Sequence, residues 1–231
     1  MKIALFDFCD TLVDFQTADA YTDYVVQGCP CRCVRYRAMI YGYFRNLKWG
    51  AKFLARHGSI NKRLNLWRIK GLSHSVLEEK AEGFYYEKIV PKLQEPVLGI
   101  LKAYQQAGYG TYIVSGGYDI YLRFFADEYG LEGLFSTCLK FRRNDIFSGR
   151  ILGKDCMGEE KVRILEKYFE GEVIDDSISY SDSMSDLPLL KWTRKGVVVS
   201  KYQYRNWPSA KGLEQIVLKD MEFECRYCDS G

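Results

Sequence analysis

Two acidic residues close a short apolar run at the start of the chain. Residues 3–6 are apolar, Asp7 and Asp10 follow them, and Cys9 lies between the two acids. A second acidic pair, Asp182 and Asp186, follows another strand-forming run. Carboxylates that crowd together cannot all stay ionised without a counter-charge. The pattern therefore predicts a hard, oxygen-binding cation such as Mg²⁺.

A hydroxyl, glycine amides and a lysine complete the set of groups that could do chemistry. Ser115 is followed by Gly116 and Gly117, and Lys161 lies in an amphipathic segment. A cation and a lysine neutralise phosphate oxygens, the hydroxyl and the amides donate hydrogen bonds to them, and one carboxylate remains as nucleophile. These residue types together predict phosphoryl transfer.

Alternating strands and helices position these residues. Segments 2–8, 110–117, 177–183 and 195–200 have the composition of buried parallel strands, and segments 96–110 and 159–170 have helical spacing of apolar residues. This alternation predicts an α/β fold with a Rossmann-like, doubly wound parallel sheet. Ligands of such sheets bind at the carboxyl ends of the strands, which is where the acidic residues and the serine fall.

Two segments depart from this alternation. Residues 136–153 consist of two extended stretches around a turn, which predicts a small β-hairpin. The stretch from about 17 to 93 has helical periodicity and no strong strand, which predicts an all-helical insertion. We predict a catalytic core of residues 1–14 and 96–231 and a helical cap of residues 15–95.

The composition is that of a globular protein. The chain has 231 residues, of which 47% are hydrophobic and 27% charged, and its apolar runs stay short of the roughly 18 residues of a membrane span. The apolar run at the N-terminus reaches Asp7 too soon for a signal peptide. We therefore expect a cytoplasmic protein.

The cap carries a one-sided charge distribution. Between residues 28 and 70 there is no Asp or Glu, while eleven Lys and Arg residues alternate with aromatic residues. Three anionic targets suit this combination: a sugar phosphate or polyanionic substrate, an anionic membrane surface at which the protein would be peripheral, and nucleic acid. Nucleic acid ranks lowest because no nucleic-acid-binding motif occurs. The competing interpretation is a solvated basic helix face over a buried aromatic stripe.

Eight cysteines include two clusters, CPCRC at 29–33 and CRYC at 225–228. In a cytosolic chain these predict reduced thiols rather than disulfides. Structural zinc is the alternative, which the lack of a nearby histidine disfavours. The only two histidines, His57 and His74, lie in the predicted cap, and we assign them no catalytic role.

Four segments together resemble the haloacid dehalogenase-like hydrolases, and in particular their phosphoserine phosphatase-like branch. They are FDFCDTL, IVSGGYDIYLRFFADEYGL, GEEKVRILEKY and SYSDSMSDLPLL, and they occur in the order of the family. Each motif alone is weakly specific, but the four in order are strongly so. The resemblance implies a core sheet with a helical cap, Mg²⁺ as cofactor and hydrolysis of phosphate esters through an aspartyl-phosphate.

The resemblance also implies roles for individual residues. Asp7 would be the nucleophile and a Mg²⁺ ligand, and Lys161 would balance the charge of the nucleophile and the phosphate. Ser115 and the Gly116 amide would hold the phosphate.

The remaining roles concern the cation and the loops around it. Asp182 would bind Mg²⁺ together with the main-chain carbonyl of Cys9. Asp186 would stand in the outer shell of the cation or orient Lys161, and Thr11 would steady the first loop.

Cys9 is where the sequence departs from the family pattern. The pattern has a second Asp at this place, which protonates the leaving oxygen and then activates water. Three readings remain open. The enzyme is slow or restricted to good leaving groups, because loss of an acid/base costs about 10²–10⁴-fold. Alternatively, Cys9, with an ordinary pKa of about 8.5, donates or accepts the proton, and nearby Mg²⁺ and Lys161 favour its thiolate. In the third reading, Asp10 turns in and replaces the missing Asp.

These observations predict a Mg²⁺-dependent phosphomonoester hydrolase. The cationic cap favours a small-molecule phosphate ester larger than phosphoserine, such as a sugar phosphate or a lipid-linked headgroup. The alternative is a catalytically impaired relative that binds a phosphorylated or anionic partner through its basic cap.

Overall fold

A computed structural model describes residues 1–221 of the chain. Its main sheet has six parallel strands in the order β3-β2-β1-β6-β7-β8. The strands are β1 (Lys2–Phe6), β2 (Gly110–Tyr118), β3 (Gly133–Thr137), β6 (Asp176–Ser181), β7 (Lys195–Ser200) and β8 (Glu214–Val217). The predicted Rossmann-like α/β fold is confirmed.

The sheet is covered by helices that lie between its strands in the sequence. They are α6 (Glu95–Gln106), α7 (Asp119–Glu128), α8 (Glu159–Tyr168), α9 (Leu187–Trp192) and α10 (Asn206–Ala210). Strands β1 and β2 are buried along most of their length, as expected for parallel strands with helices on both faces. Strands β3 and β8 at the two edges were not among the predicted strands.

The predicted hairpin is present and lies outside the main sheet. Strands β4 (Leu139–Phe141) and β5 (Phe147–Ile151) pair antiparallel. Asp145 in the turn between them has a left-handed backbone with φ of 55°, a conformation that Asp tolerates better than most residues.

The segment between β1 and α6 is helical, as predicted. It contains α1 (Thr17–Gln27), α2 (Arg32–Asn46), α3 (Lys48–Arg56), α4 (Gly58–Arg68) and α5 (His74–Phe84), followed by a π-helical turn (Tyr85–Ile89) and a 3₁₀ turn (Val90–Lys92). We call these elements the cap. The division of the chain into core 1–14 and 96–231 and cap 15–95 stays a prediction.

One hydrophobic core runs from the sheet into the cap. Tyr21 of α1 is fully buried, and its ring lies 5.1 Å from that of Tyr121 in α7 and 5.5 Å from that of Phe84 in α5. Its hydroxyl donates a hydrogen bond to the Leu77 carbonyl. These contacts fix α1 and α5 against the core. The part of the cap that these two helices form therefore has a defined position over the strand ends.

Within residues 1–221, none of the helices combines the length and apolar character that crossing a bilayer would require.

Candidate active site

Two loops and one helix bring an acid–lysine–acid triplet together at the carboxyl edge of the sheet. Lys161 Nζ donates hydrogen bonds to Asp7 Oδ1 at 2.8 Å and to Asp186 Oδ2 at 2.6 Å. Asp7 follows β1, Asp186 follows β6, and Lys161 lies in the first turn of α8. All three side chains are buried. Residues 154 positions apart in the chain thus meet in one buried site.

The charges of the triplet do not balance. Burial alone would lower the pKa of Lys161, but the negative charges of Asp7 and Asp186 outweigh it and raise the pKa above its usual value. The lysine is therefore a permanent cation. Burial raises the pKa of Asp7, and the charge of Asp186 adds to this, while Lys161 lowers it only in part. One ammonium shared by two buried carboxylates leaves a net negative charge.

Asp182 adds a further carboxylate at the same edge. Burial raises its pKa to about 6, and the charge of Asp10 contributes. The negative charge of Asp182 in turn raises the pKa of Asp7. Side chains with oxygen donors and uncompensated negative charge are what Mg²⁺ prefers, so Asp7 and Asp182 fit this cation.

Hydroxyl groups tie the loops of the site to one another. Thr11 Oγ1 accepts the Asp182 N–H at 3.1 Å, and Ser181 Oγ donates to Asp186 Oδ2 at 2.7 Å. Thr11 thereby links the loop after β1 to the loop after β6, in keeping with the loop-steadying role predicted for it. A guanidinium N–H of Arg205 donates to the Asp182 carbonyl.

Ser115 and Gly116 lie at the end of β2, where backbone amides and a hydroxyl are close together. Ser115 is fully buried, and its Oγ accepts the Gly117 N–H at 3.1 Å. A Cβ on Gly116 would come within 2.8 Å of Met157 Cγ, and one on Gly117 within 2.9 Å of the Tyr121 hydroxyl. Neighbouring side chains approach the backbone at both positions so closely that a Cβ would force them to shift, which favours glycine.

The cap supplies a lysine that the sequence analysis did not single out. Lys62 Nζ of α4 donates to the Gly116 carbonyl at 2.7 Å and pairs with Asp155 Oδ1. Asp155 also accepts a hydrogen bond from the Thr137 hydroxyl at 2.7 Å. In the sequence Lys62 was one of eleven cations of the cap, and nothing in its spacing distinguished it from the solvated ones.

Cys9 lies in a hydrogen-bonded and buried environment. Its Sγ is 3.0 Å from Thr17 Oγ1 and accepts the Thr17 N–H at 3.4 Å. Burial and the charge of Asp7 together raise the pKa of Cys9 to about 11, and the opposing effect of Lys161 is smaller. Lys161 lowers the pKa of Cys9 in the expected direction, but burial and the charge of Asp7 outweigh this effect.

Asp10 is held by two donors. Its carboxylate accepts hydrogen bonds from Gln16 Nε2 at 2.6 Å and from Lys201 Nζ at 3.1 Å. Its backbone is left-handed, with φ of 54°. Use of Asp10 as a proton carrier would require that these contacts break.

A cavity of about 1020 Å³ lies between α2, α4 and segment 149–155. Its walls include Phe44, Trp67 and Ile151, and the cations Arg63 and Arg150 also line it. Lys62 and Asp155 belong to its lining as well, so the cavity adjoins the Gly116 backbone at the edge of the sheet. Its volume is at the upper end of the range for small-molecule sites.

The cysteine clusters are described only in part. Cys31 Sγ and Cys33 Sγ are 3.5 Å apart, and no disulfide forms among the cysteines of residues 1–221. In that range no three His, Cys, Asp or Glu side chains are grouped so that they could hold a metal by themselves. Cys225 and Cys228 lie outside the described residues. His57 and His74 lie in the cap; His57 is the residue between α3 and α4, and His74 is the first residue of α5.

Comparison with known proteins identifies the relatives of the chain. The profile of the haloacid dehalogenase-like hydrolases matches residues 4–191. The chain is 23% identical to a histidinol-phosphatase of Neisseria meningitidis over 86% of its own length and 90% of that protein. It is 27% identical to a phosphoserine phosphatase of Methanocaldococcus jannaschii over 82% of its length and 81% of that protein.

Solved structures share the fold. A protein of unknown function from Bordetella pertussis aligns with a TM-score of 0.76 at 21% identity, over 94% of this chain and 98% of that one. A phosphoserine phosphatase with an analogue of its phospho-aspartyl intermediate aligns with a TM-score of 0.57 at 23% identity, over 86% of each chain. The predictions of the family, of its phosphoserine phosphatase-like branch and of an enzyme of the phosphatase class are confirmed.

Proposed function

The chain belongs to the haloacid dehalogenase-like hydrolase family, and we propose that it is a Mg²⁺-dependent phosphomonoester hydrolase with Asp7 as its nucleophile. The observation that carries the proposal is the buried contact of Lys161 with both Asp7 and Asp186. A buried carboxylate beside a permanent cation is positioned for attack on a phosphoryl group, because the cation attracts the phosphate and offsets its repulsion of the nucleophile.

The reaction proceeds in two displacements. Asp7 attacks phosphorus, the bond from phosphorus to the ester oxygen breaks, an aspartyl-phosphate forms, and the leaving oxygen takes a proton from solvent. Water then attacks the phosphorus of this intermediate, and inorganic phosphate and the free carboxylate are released. Lys161, the Ser115 hydroxyl and the Gly116 amide hold the phosphate oxygens during both steps.

Asp7, Asp182 and the main-chain carbonyl of Cys9 would hold Mg²⁺, with Asp186 in its outer shell. The cation supplies positive charge to the phosphate oxygens when it is bound. This assignment is supported by the net negative charge of the site and by the raised pKa values of Asp7 and Asp182.

Proton transfer is the slow part of the proposed mechanism. Without the cation, Cys9 is a thiol at neutral pH, since its pKa is raised to about 11. Such a group is a weak donor and cannot act as a base for water. We therefore favour, among the three readings, an enzyme that is slow or selective for esters whose leaving oxygen needs little protonation.

The substrate is proposed to be larger than phosphoserine. The cavity of about 1020 Å³ adjoins Gly116 and offers aromatic walls together with Arg63 and Arg150. A phosphate ester with an apolar or sugar-like body and a further anionic group fits this lining. Sugar phosphates and lipid-linked headgroups have this chemistry.

Hydrolysis of p-nitrophenyl phosphate tests the proposal, because its leaving group needs no protonation. Wild-type protein with Mg²⁺ should release phosphate steadily, and Asp7→Asn should abolish the release. Asp14→Asn is the matched control, because Asp14 is a partly exposed acid outside the triplet whose carboxylate, within residues 1–221, pairs only with the exposed Lys92. Equal activity of wild type and Asp7→Asn would end the proposal.

The raised pKa of Cys9 favours one second candidate function, a phosphate sensor. In this case the site binds a phosphorylated ligand and does not turn it over. Saturable binding of inorganic phosphate to the wild type, without release from any ester of a substrate panel, would favour the sensor over the hydrolase.

A further inference from the structure

Helix α2 exposes an apolar stripe to solvent. Tyr36, Met39, Ile40 and Tyr43 follow the spacing i, i+3, i+4 and i+7, which places them on one face of the helix. Their exposed fractions are 62%, 64%, 40% and 72%. Such a stripe normally lies against the protein core, so its exposure indicates an external partner.

Helix α3 extends the stripe. Trp49 and Phe53 are exposed, and both rings pack edge-on against Phe44 of α2, at centroid distances of 4.9 and 6.3 Å. We call the six exposed side chains, Tyr36, Met39, Ile40, Tyr43, Trp49 and Phe53, the α2–α3 face. They fall within residues 36–53, whereas the other exposed large apolar side chains of residues 1–221 are scattered, apart from Tyr202 and Tyr204.

Exposed cations lie on the same two helices as the α2–α3 face, and their charge is not balanced locally. The exposed basic residues of the two helices are Arg32, Arg35, Arg45, Lys48, Lys52 and Arg56. None of them forms an ion pair within residues 1–221, and no acidic residue occurs between residues 28 and 70. The partner is therefore expected to be anionic as well as apolar.

We propose that the α2–α3 face docks on an anionic lipid bilayer. Aromatic and aliphatic side chains on one side of a helix, with Lys and Arg beside them, are the composition of helices that lie in the membrane interface. Phosphate headgroups provide the negative charge that attracts Lys and Arg side chains near the membrane surface. A second copy of the chain is disfavoured as the occupant, because pairing two such faces would bring like charges together.

Docking has a geometric consequence for the cavity. Ile40 belongs to the α2–α3 face and also lines the cavity. The bound cap would thus bring this wall of the cavity to the headgroup region. The docking itself does not depend on the proposed reaction at Asp7, so it is testable with binding assays alone.

Vesicle co-sedimentation of the full chain tests the apolar part of the proposal. The protein should bind vesicles of phosphatidylcholine mixed with phosphatidylglycerol and should bind pure phosphatidylcholine much more weakly. The double variant Tyr36→Ser with Tyr43→Ser should lower partitioning by about tenfold or more. The matched control is Tyr202→Ser with Tyr204→Ser, because these tyrosines are equally exposed but lie outside the cap.

Charge variants test the electrostatic part. Arg35→Gln with Lys48→Gln should weaken binding to the anionic vesicles, and added salt should weaken binding of the wild type. Arg142→Gln with Arg143→Gln, which removes two exposed cations of the hairpin, should have little effect.

Tryptophan fluorescence shows which part of the protein contacts the bilayer. Brominated lipids should quench tryptophan fluorescence of the wild type, and most of this quenching should vanish in Trp49→Phe, which keeps the face apolar. Absence of binding to anionic vesicles at low salt would overturn the proposal. So would equal losses in the face variants and their controls, or a dimer of the wild type that the Tyr36 and Tyr43 variant dissociates.

Discussion

Removal of the buried ammonium of Lys161 is expected to destabilise the fold strongly. Lys161→Met keeps the length of the side chain and leaves Asp7 and Asp186 buried without their shared partner. At an effective dielectric constant of about 20, unit charges 2.8 and 2.6 Å apart attract by about 6 kcal/mol each. Desolvation cancels several kcal/mol per ion, and loss of one partner of a buried pair costs about 3–5 kcal/mol. We expect the free energy of unfolding to fall by that amount.

Urea unfolding, followed by circular dichroism with EDTA present, measures this change. Lys154→Met is the matched control, because Lys154 is exposed, pairs with Glu160 at 3.2 Å and should contribute less than about 1 kcal/mol. Adding Asp186→Asn to Lys161→Met should recover part of the loss, since one uncompensated carboxylate becomes neutral. The reasoning is refuted if Lys161→Met costs no more than Lys154→Met, or if Asp186→Asn has the same effect in both backgrounds.

The other predictions concern the catalytic groups and the thiols. Cys9→Ser should leave the turnover of p-nitrophenyl phosphate within about threefold of wild type, whereas Cys9→Asp should raise the turnover of alkyl phosphates by about 10²-fold or more. Steady-state kinetics on both esters measure these changes, and equal behaviour of the two variants would contradict the prediction. Lys62→Met should raise KM more than it lowers kcat, because it breaks the contact between cap and Gly116, and Lys88→Met, an exposed lysine elsewhere in the helical segment, should change neither constant. Chelation with EDTA should abolish phosphate release and added Mg²⁺ should restore it, which a colorimetric phosphate assay follows; full activity after exhaustive chelation would exclude the proposed cation. Iodoacetamide should modify Cys31 well before Cys9, because backbone and Cys33 hydrogen bonds lower the pKa of Cys31 whereas burial raises that of Cys9 to about 11; peptide mass mapping that found Cys9 first would contradict the burial of this thiol.

Much of the core could be predicted because its signals are local. A run such as residues 3–6 is apolar on both faces, which a strand needs when helices cover both sides of the sheet. The residue that follows such a strand lies at its carboxyl end wherever the strand is placed. Asp7 directly follows β1, and Ser115 and Asp186 lie near the carboxyl ends of β2 and β6, so the topology of the sheet places all three at the same edge.

No local sequence signal predicted the contacts between the cap and the core. Lys62 reaches the Gly116 carbonyl and Asp155 because α4 packs beside segment 149–155, and this depends on the fold of the whole cap. The environment of Cys9 is similar, since its high pKa comes from burial under α1 and from the nearby Asp7. Its position in the motif was evident from the sequence, but its protonation state required the three-dimensional surroundings.

The cap helices show most clearly which features the sequence determines and which depend on the tertiary structure. The 3.6-residue period of apolar side chains determines that α2 is an amphipathic helix, because that spacing places Tyr36, Met39 and Tyr43 on one face. This spacing is the same whether the apolar face is buried against a neighbouring element or exposed to solvent. Coverage depends on how distant segments pack, and here α4 packs against the opposite side around Tyr41 and Phe44, so that the apolar stripe stays on the surface.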